Sequence, residues 1–385
     1  MRKRFHYISP SLLPSRTANS IHVISQCKAL CDEGLDVFLY AKRSVKEVSD
    51  LLTEVEKVYG VSSPSLKYVT YFSKINFFDN FHIALMAIRY CFFSGEDYVL
   101  SRNLYAAFIL AVLVRHPILY ETHQIEYGFR KLLQRFVISC RFVRTIVISQ
   151  KLAEALSNHH NLYINTPLIL HDAASFGIKP VALIRKRDLL SKELNEDISS
   201  WRQVTGYFGH LFAGRGIEII EKMAYALPDC LFLVYGGNDE HILFRRERNK
   251  LKNLRFMGYV AHVQSQKIMK LVDVLLMPYQ YEVSIGIDLH DTARWMSPMK
   301  MFEYMAAGVP FISSDLPVLR EVLSDGVNSL LVEPDNSDAW ISALLRLIAE
   351  PDLAKRISSQ AHIDYQNHHT WLIRAEKLVN AARQL

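Results

Sequence analysis

The sequence has few cysteines, and their spacing argues against a zinc site. The 385 residues include five cysteines and no CxxC pair: Cys27, Cys31, Cys91, Cys140 and Cys230. Cys27 and Cys31 lie four residues apart on a predicted helix, but no matching His or Cys pair completes a metal-binding set. We therefore expect buried free thiols in a reducing cytoplasm.

Long apolar runs are also missing. The basic start at residues 1–4 is typical of a signal peptide, but Ser9, Pro10 and Pro14 interrupt the apolar core that should follow. The longest apolar run, residues 104–114, is too short to span a bilayer. We find no low-complexity segment and no internal repeat. The sequence therefore predicts a protein that is cytoplasmic, or peripheral on the inner face of the cell membrane.

Positive charge is in small excess and is unevenly distributed along the sequence. The net charge is +6. Residues 1–175 contain 20 Lys and Arg against 14 Asp and Glu, whereas the rest of the chain contains 25 of each. The excess in the first half indicates a surface that faces anionic lipid or an anionic acceptor, although ordinary solubility explains it equally well. No nucleic-acid partner is expected.

The first half lacks the dinucleotide-binding fingerprint. Residues 5–8 predict a strand, residues 14–20 a polar turn, residues 21–32 a helix and residues 36–40 a second strand. This order at short spacing predicts a parallel α/β domain, and a chain of this length predicts two domains. The first loop contains no glycine, so G-x-G-x-x-G is absent and a nicotinamide-dependent dehydrogenase is disfavoured.

A histidine follows a later predicted strand of this half. Residues 118–123 predict a strand, with Glu121 and His123 on one face of its end. By itself, a histidine in this place is more often structural than catalytic.

A stretch after that strand has apolar residues at helical spacing with cations between them. The apolar positions are Phe129, Leu132, Leu133, Phe136, Val137 and Cys140, and the cations are Arg130, Lys131, Arg135 and Arg141. Such a helix could lie on a membrane. The favoured interpretation is that the apolar stripe faces its own sheet.

The second half opens with a pattern suited to phosphate. A linker is predicted near residues 172–200, because apolar periodicity is lost there. The strand at residues 204–208 is followed by GHLFAGRG, residues 209–216, and then by a helix. A glycine loop with a cation, Arg215, between a strand and a helix can hold a diphosphate. The loop lacks the Lys-Ser/Thr of a P-loop.

The most informative stretch of the second half is WMSPMKMFEYMAAGVPFISSD, residues 295–315. Ser297 is the predicted N-cap, Pro298 the first helical residue and Gly308 the end of the helix, before a buried strand at residues 309–313. Lys300 and Glu303 lie on one face of the helix. The helix N-terminus suits a phosphate and the carboxylate suits a ribose diol, which together predict a nucleotide-diphosphate cradle. The alternative is a buried helix with one solvated Lys–Glu pair.

These motifs resemble those of a known family. SPMKMFEYMAAGVPFISSD resembles the donor-site helix of retaining nucleotide-sugar glycosyltransferases of family four, also called glycosyltransferase group 1, which have the GT-B fold. PSRTANSIHV and YETHQIE resemble the acceptor-side loop and the histidine motif of that family. The resemblance implies an α/β fold with two Rossmann-like domains facing each other across a cleft. Residues 1–175 would bind the acceptor and residues 176–365 the nucleotide sugar, while residues 366–385 would form a C-terminal helix packed back on the first domain.

The resemblance also assigns site residues. It implies catalytic roles for His123, Arg215 and Lys300. It implies donor contacts by Gly209, His210, Arg215, Val260, Ser297, Pro298, Met299, Lys300 and Glu303, the last on the ribose. Two positions depart from the family: His210 replaces a frequent arginine, and Trp295 stands where a second carboxylate often contacts the donor sugar. Acidic and polar residues of the preceding loop could contact that sugar instead: Glu282, Asp288, His290 and Asp291.

The function implied is transfer of a sugar, of hexosyl type, from a nucleotide-diphosphate sugar to a glycan or glycolipid acceptor. Configuration would be retained, in the synthesis of a bacterial cell-surface polysaccharide, lipopolysaccharide or other glycolipid. The resemblance also implies no cofactor beyond the donor substrate and no essential metal, which is consistent with the lack of a DxD pair at the end of a predicted strand. Two alternatives remain: a sugar-nucleotide epimerase or hydrolase on the same fold, and a non-catalytic subunit of a polysaccharide assembly.

Overall fold

The computed structural model describes residues 2–15, 17–73, 78–91, 97–164, 166–175, 183–284 and 291–385. The chain divides into two compact units. Unit 1 consists of Met1–Ala173 and Thr370–Leu385, and unit 2 consists of Ala174–His369.

Unit 1 is built on a parallel sheet of seven strands. The strands are β1 (Arg4–Leu13), β2 (Asp36–Arg43), β3 (Leu66–Phe72), β4 (Tyr98–Ser101), β5 (Ile118–Thr122), β6 (Val143–Val147) and β7 (Leu168–Ile169). The helices are α1 (Ala18–Asp32), α2 (Val48–Tyr59), α3 (Asp79–Cys91), α4 (Leu104–Ala107), α5 (Gly128–Ser139), α6 (Gln150–His160) and, from the chain's end, α14 (Trp371–Arg383). A π-helical turn, Phe108–Leu113, follows α4.

The strand order in unit 1 is β3-β2-β1-β4-β5-β6-β7. The order reverses between β1 and β4, and ligands bind at the carboxyl ends of strands at such a point in open α/β sheets. β1 runs beyond the predicted residues 5–8, because its pairing with β2 resumes at Leu12 after a shift of register past Ile8. α1 also begins three residues earlier than predicted, at Ala18.

Unit 2 is built on a parallel sheet of six strands. The strands are β8 (Gln203–Phe208), β9 (Cys230–Tyr235), β10 (Leu254–Gly258), β11 (Val274–Met277), β12 (Phe311–Ser314) and β13 (Leu330–Val332). The helices are α7 (Leu183–Leu194), α8 (Ile217–Ala226), α9 (Asp239–Arg248), α10 (His262–Met269), α11 (Met299–Ala307), α12 (Ser337–Ala349) and α13 (Pro351–His368). A short 3-10 turn, Leu319–Glu321, precedes β13.

The strand order in unit 2 is β10-β9-β8-β11-β12-β13, so its order reverses between β8 and β11. The predicted α/β fold with two Rossmann-like sheets is therefore confirmed. The prediction of a linker at residues 172–200 is wrong for the part that forms α7, which packs in unit 2. Leu190 of α7 is fully buried, and Arg187 forms an ion pair of 2.6 Å with Asp273. Residues 176–182 of that linker lie outside the described residues.

Candidate active site

The loop after β8 packs directly on the segment after β11. A Cβ on Gly214 would lie 1.8 Å from the carbonyl oxygen of Glu282, and a Cβ on Gly216 would lie 1.8 Å from that of Pro278. Both glycines have positive φ, of 78° and 75°. No other residue fits either place without moving backbone, so the glycines bring this loop against the end of β11.

Lys300, in the first turn of α11, lies over two aromatic rings. Its Nζ is 4.2 Å from the ring centroid of Tyr207 and 4.9 Å from that of Tyr279. A Cβ on Gly209 would come within 2.6 Å of Nζ, so this glycine leaves room for the ammonium group. Burial and the nearby charge of Arg215 hold the pKa of Lys300 well below its usual value. The two rings stabilise the charged form in part.

Arg215 reaches the same place from the loop after β8. Its guanidinium donates to the hydroxyl of Tyr279 at 3.2 Å and to the carbonyl oxygen of Ser284 at 3.0 Å, while its buried Nε has no partner within the described part of the chain. Among the described residues, neither Arg215 nor Lys300 forms an ion pair with a carboxylate. Burial and repulsion between these two groups lower the pKa of Lys300, and an anion bound between them would offset the repulsion and favour its charged form. The arrangement therefore suits a diphosphate.

The N-terminus of α11 differs from the prediction by one residue. Pro298, with φ −75° and ψ 120°, is the N-cap, and the helix begins at Met299. Ser297 is therefore not the cap; it is buried beside the helix start. The physical reason is the extended backbone of Pro298, which delays the first helical residue. The backbone N–H groups of Met299 and Lys300 begin the helix and have no acceptor within it.

Glu303, one turn beyond Lys300, is 7% exposed. Its Oε1 accepts a hydrogen bond of 2.5 Å from Nε2 of His262, the first residue of α10. The alternative of a solvated Lys–Glu pair is therefore wrong, since Lys300 contacts tyrosine rings and Glu303 contacts His262. Burial opposes protonation of His262, but the carboxylate of Glu303 raises its pKa above the usual value.

His210 and Val260 are two further predicted donor contacts. The ring of His210 stacks on Phe212 with centroids 4.8 Å apart. Burial, together with the charges of Arg215 and Lys300, lowers the pKa of His210, so at neutral pH it adds no positive charge. Val260 lies two residues beyond the end of β10, half-buried.

The loop proposed to contact the donor sugar is described only in part. Asp288 and His290 lie outside the described residues. Oδ1 of Asp291 accepts hydrogen bonds from the backbone N–H groups of Val283 and Ala293, at 2.9 Å and 2.8 Å. Asp291 therefore closes the base of the loop, and this oxygen is already used within the protein.

In unit 1, His123 follows β5 and uses both ring nitrogens. Nε2 lies 2.6 Å from Oε1 of Glu121, and Nδ1 lies 3.2 Å from a guanidinium nitrogen of Arg102. Since arginine can only donate, Nδ1 accepts and Nε2 carries the proton. Burial, then the charge of Arg102, lowers the pKa of His123 to about 4. His123 is therefore neutral at physiological pH, and taking up a proton would break its bond with Arg102.

Glu121 is the centre of this cluster and is fully buried. Its Oε1 lies 3.2 Å from Nε2 of His22 and 3.1 Å from a guanidinium nitrogen of Arg374 on α14. Burial alone would raise the pKa of Glu121, but Arg374 and the two histidines hold it well below its usual value. His22 also contacts Asp172, at 3.0 Å.

Three of these side chains have atoms close enough to hold a metal ion. They are His22, His123 and Asp172, whose ligand atoms all lie within 4.8 Å of one another. The donor set does not fit a cation, because Nδ1 of His22 is bound to Asp172, both nitrogens of His123 are used, and the guanidinium of Arg102 lies beside them. This cluster is a hydrogen-bonded network.

Sequence reasoning missed three residues of the unit 2 site: Tyr207, Tyr279 and His262. The two tyrosines lie at or just after the ends of buried strands, so the sequence alone predicts that they are core residues. The structure shows that their rings face Lys300. No local sequence pattern links His262 to Glu303, because the two residues lie 41 positions apart.

Comparison with known proteins finds a family match in the second half of the chain. Residues 203–350 match the family described as Glycosyl transferases group 1. The chain is 29% identical over 150 residues to a phosphatidyl-myo-inositol mannosyltransferase of Mycolicibacterium smegmatis, covering 38% of this chain and 36% of that protein. It is 30% identical over 198 residues to the protein of the same description from Mycobacterium leprae, covering 48% and 50%. The matched part thus spans between a third and a half of these relatives.

A crystal structure of HepE from Anabaena in complex with UDP is similar over 100% of both chains, with a TM-score of 0.72 and 15% identity. A likeness at this identity supports the fold alone. No described helix is long and apolar enough to cross a membrane. Residues 203–350 thus match the glycosyl transferases group 1 family, within a chain that has the GT-B fold.

Proposed function

We propose that the protein is a glycosyltransferase that moves a sugar from a nucleotide-diphosphate sugar to a glycan or glycolipid acceptor. The observation that carries this proposal is the pair of cations, Lys300 and Arg215, that meet at the ring of Tyr279 without a carboxylate partner among the described residues. Lys300 lies in the first turn of α11, where backbone N–H groups have no acceptor within the helix. A diphosphate would supply negative charge in direct contact with these two groups, which Glu303 does not.

The same groups would assist departure of the nucleoside diphosphate. Negative charge grows on the leaving phosphate as the glycosidic bond breaks, and Lys300 and Arg215 stabilise it there. The anomeric carbon becomes positive, as in other glycosyl transfers. With two cations in place the step needs no metal. We propose retention of configuration, with the leaving phosphate accepting the acceptor's proton.

The known relatives indicate which class of donor and acceptor to propose. A mannosyl group is named for the mycobacterial relatives and UDP for the HepE complex. We therefore propose a hexosyl donor carried on a nucleoside diphosphate, and a glycolipid or surface polysaccharide as product. Unit 1 would supply the acceptor side, with neutral His123 as a positioning group.

A peripheral contact with the inner face of an anionic membrane is part of this proposal. On α5, Phe129 is 70% exposed, Leu132 48% and Phe136 50%. We call these three residues the α5 face. The favoured expectation that the whole stripe faces its own sheet is wrong for them, while Leu133 and Val137 are buried as expected. An apolar face on a basic helix suits a lipid headgroup region.

A ligand screen tests the proposal directly. Thermal shift and calorimetry with UDP, GDP, ADP and their hexoses should find one nucleotide that stabilises the protein, and Lys300→Met should weaken its binding. Product analysis with that donor then separates transfer from hydrolysis or epimerisation. If none of these nucleotides binds, the proposal is wrong. If one binds and no sugar is released or transferred, the protein is a non-catalytic binding subunit.

A further inference from the structure

The pair formed by His262 and Glu303 joins two elements that lie far apart in sequence. His262 begins α10 and Glu303 lies in the middle of α11. Their side chains are 18% and 9% exposed, and Nε2 of the histidine lies 2.5 Å from Oε1 of the carboxylate. Burial and this short contact fix the rotamer of Glu303.

Few polar groups of the described part of the chain contact this pair. Among the described residues, Nε2 of Gln266 lies 3.4 Å from Nε2 of His262, and the hydroxyl of Ser265 donates to the carbonyl oxygen of His262. Lys300, one turn away on α11, faces the tyrosine rings. His262 is therefore the side chain that holds Oε1.

A carboxylate that binds a ribose diol must accept hydrogen bonds from two adjacent hydroxyls. Each oxygen has two lone-pair directions, so Oε1 can accept from His262 and still accept from a ligand, while Oε2 accepts no hydrogen bond from the described residues. Holding one oxygen in place removes rotamer freedom before the ligand binds. A preorganised acceptor distinguishes a diol from a single hydroxyl better than a free one.

We propose that His262 is a positioning residue for Glu303, and that the pair sets the preference for ribose over 2′-deoxyribose in the bound nucleotide. This rests on the proposed function, in which Glu303 binds the ribose. His262 contacts the carboxylate and acts through it. The pair therefore selects ribonucleotide donors.

Calorimetry tests the proposal with the nucleoside diphosphate that binds most tightly and its 2′-deoxy counterpart. The wild type should prefer the ribonucleotide by about tenfold or more, since a hydrogen bond to a charged group is at stake. His262→Ala should lower that preference by at least about threefold, and His262→Gln, which keeps a donor, should restore part of it. In a Glu303→Gln background, His262→Ala should have no further effect.

His362→Ala is the matched control. Nδ1 of His362 lies 3.1 Å from the carbonyl oxygen of Ala306, so this histidine also contacts α11 but not Glu303. It should leave the preference unchanged. If His262→Ala weakens binding of both nucleotides equally, this assignment alone is overturned. The same holds if His262→Ala lowers the ribose preference as much in the Glu303→Gln background as in the wild type. Absence of binding by the wild type would overturn the proposed function and this assignment with it.

Discussion

Arg215 holds its guanidinium between a tyrosine hydroxyl and a backbone carbonyl, with the aromatic face of Tyr279 5.2 Å from its centre. These neutral partners fix its position without neutralising its charge. Its charge therefore remains available to an anion, in contrast to Arg187, which is paired with Asp273.

We expect Arg215→Ala to weaken nucleoside diphosphate binding by about tenfold and to flatten its dependence on salt, because one cation no longer interacts with the phosphates. Calorimetry at two or more ionic strengths measures both effects. Arg255→Ala is the control, since Arg255 pairs with Glu196 on the same unit. An unaltered salt dependence in Arg215→Ala would place this residue outside the phosphate site.

The His262–Glu303 pair should also make stability depend on pH. The pKa of His262 is raised in the folded state, so the pair contributes its full stability below the unfolded value of about 6.5. That contribution is lost as pH rises through the raised folded pKa. The wild type should therefore exceed His262→Gln in unfolding free energy by more at pH 6 than at pH 9, as denaturant unfolding measures. A difference that grows with pH would contradict the raised pKa.

At the scale of elements, α5 shows why part of the structure escaped prediction. At about 100° per residue, its apolar positions span an arc of about 140°. Only the half with Leu133 and Val137 meets the sheet, and Phe129, Leu132 and Phe136 lie on the other half. Periodicity predicts the helix and its stripe correctly. It cannot say how much of that arc a neighbouring element covers.

Helix α11 was more predictable, because glycine and proline mark its ends. Gly308 has a φ of 64° and ends the helix as expected. The one-residue error at its start comes from the backbone angle of Pro298. His262 could not be predicted, because its place against Glu303 depends on how α10 packs on α11.

The α5 face gives a prediction at the element scale. The double substitution Phe129→Gln and Phe136→Gln should weaken binding to vesicles containing phosphatidylglycerol by about tenfold or more, since each exposed ring would otherwise be buried in lipid. Vesicle co-sedimentation measures this. Leu243→Gln with Phe244→Gln, on α9 of unit 2, is the matched control, as both residues are exposed and apolar. Equal vesicle binding by the α5 double variant and the wild type would exclude this face as the contact.

At the scale of the whole molecule, the last helix of the chain belongs to the N-terminal unit, unit 1. The last 16 residues group with Met1–Ala173. Arg374 of α14 is 3% exposed, and its guanidinium contacts Glu121 at 3.1 Å, the side-chain oxygen of Gln26 at 2.6 Å and the carbonyl oxygen of His171 at 3.0 Å. One side chain thus connects α14 to α1, β5 and the segment after β7.

Arg374→Met should therefore destabilise unit 1 by about 3–5 kcal/mol, because Glu121 would remain buried without its main cationic partner. Hydrogen exchange read by mass spectrometry should show faster exchange in α1 and β5, with β8 to β13 unchanged. Arg383→Met, on the exposed end of the same helix, should leave both regions unchanged. Adding Glu121→Gln to Arg374→Met should restore part of the protection, because the uncompensated charge is then removed. If exchange in β5 is the same in Arg374→Met as in the wild type, the Glu121 cluster does not depend on this arginine.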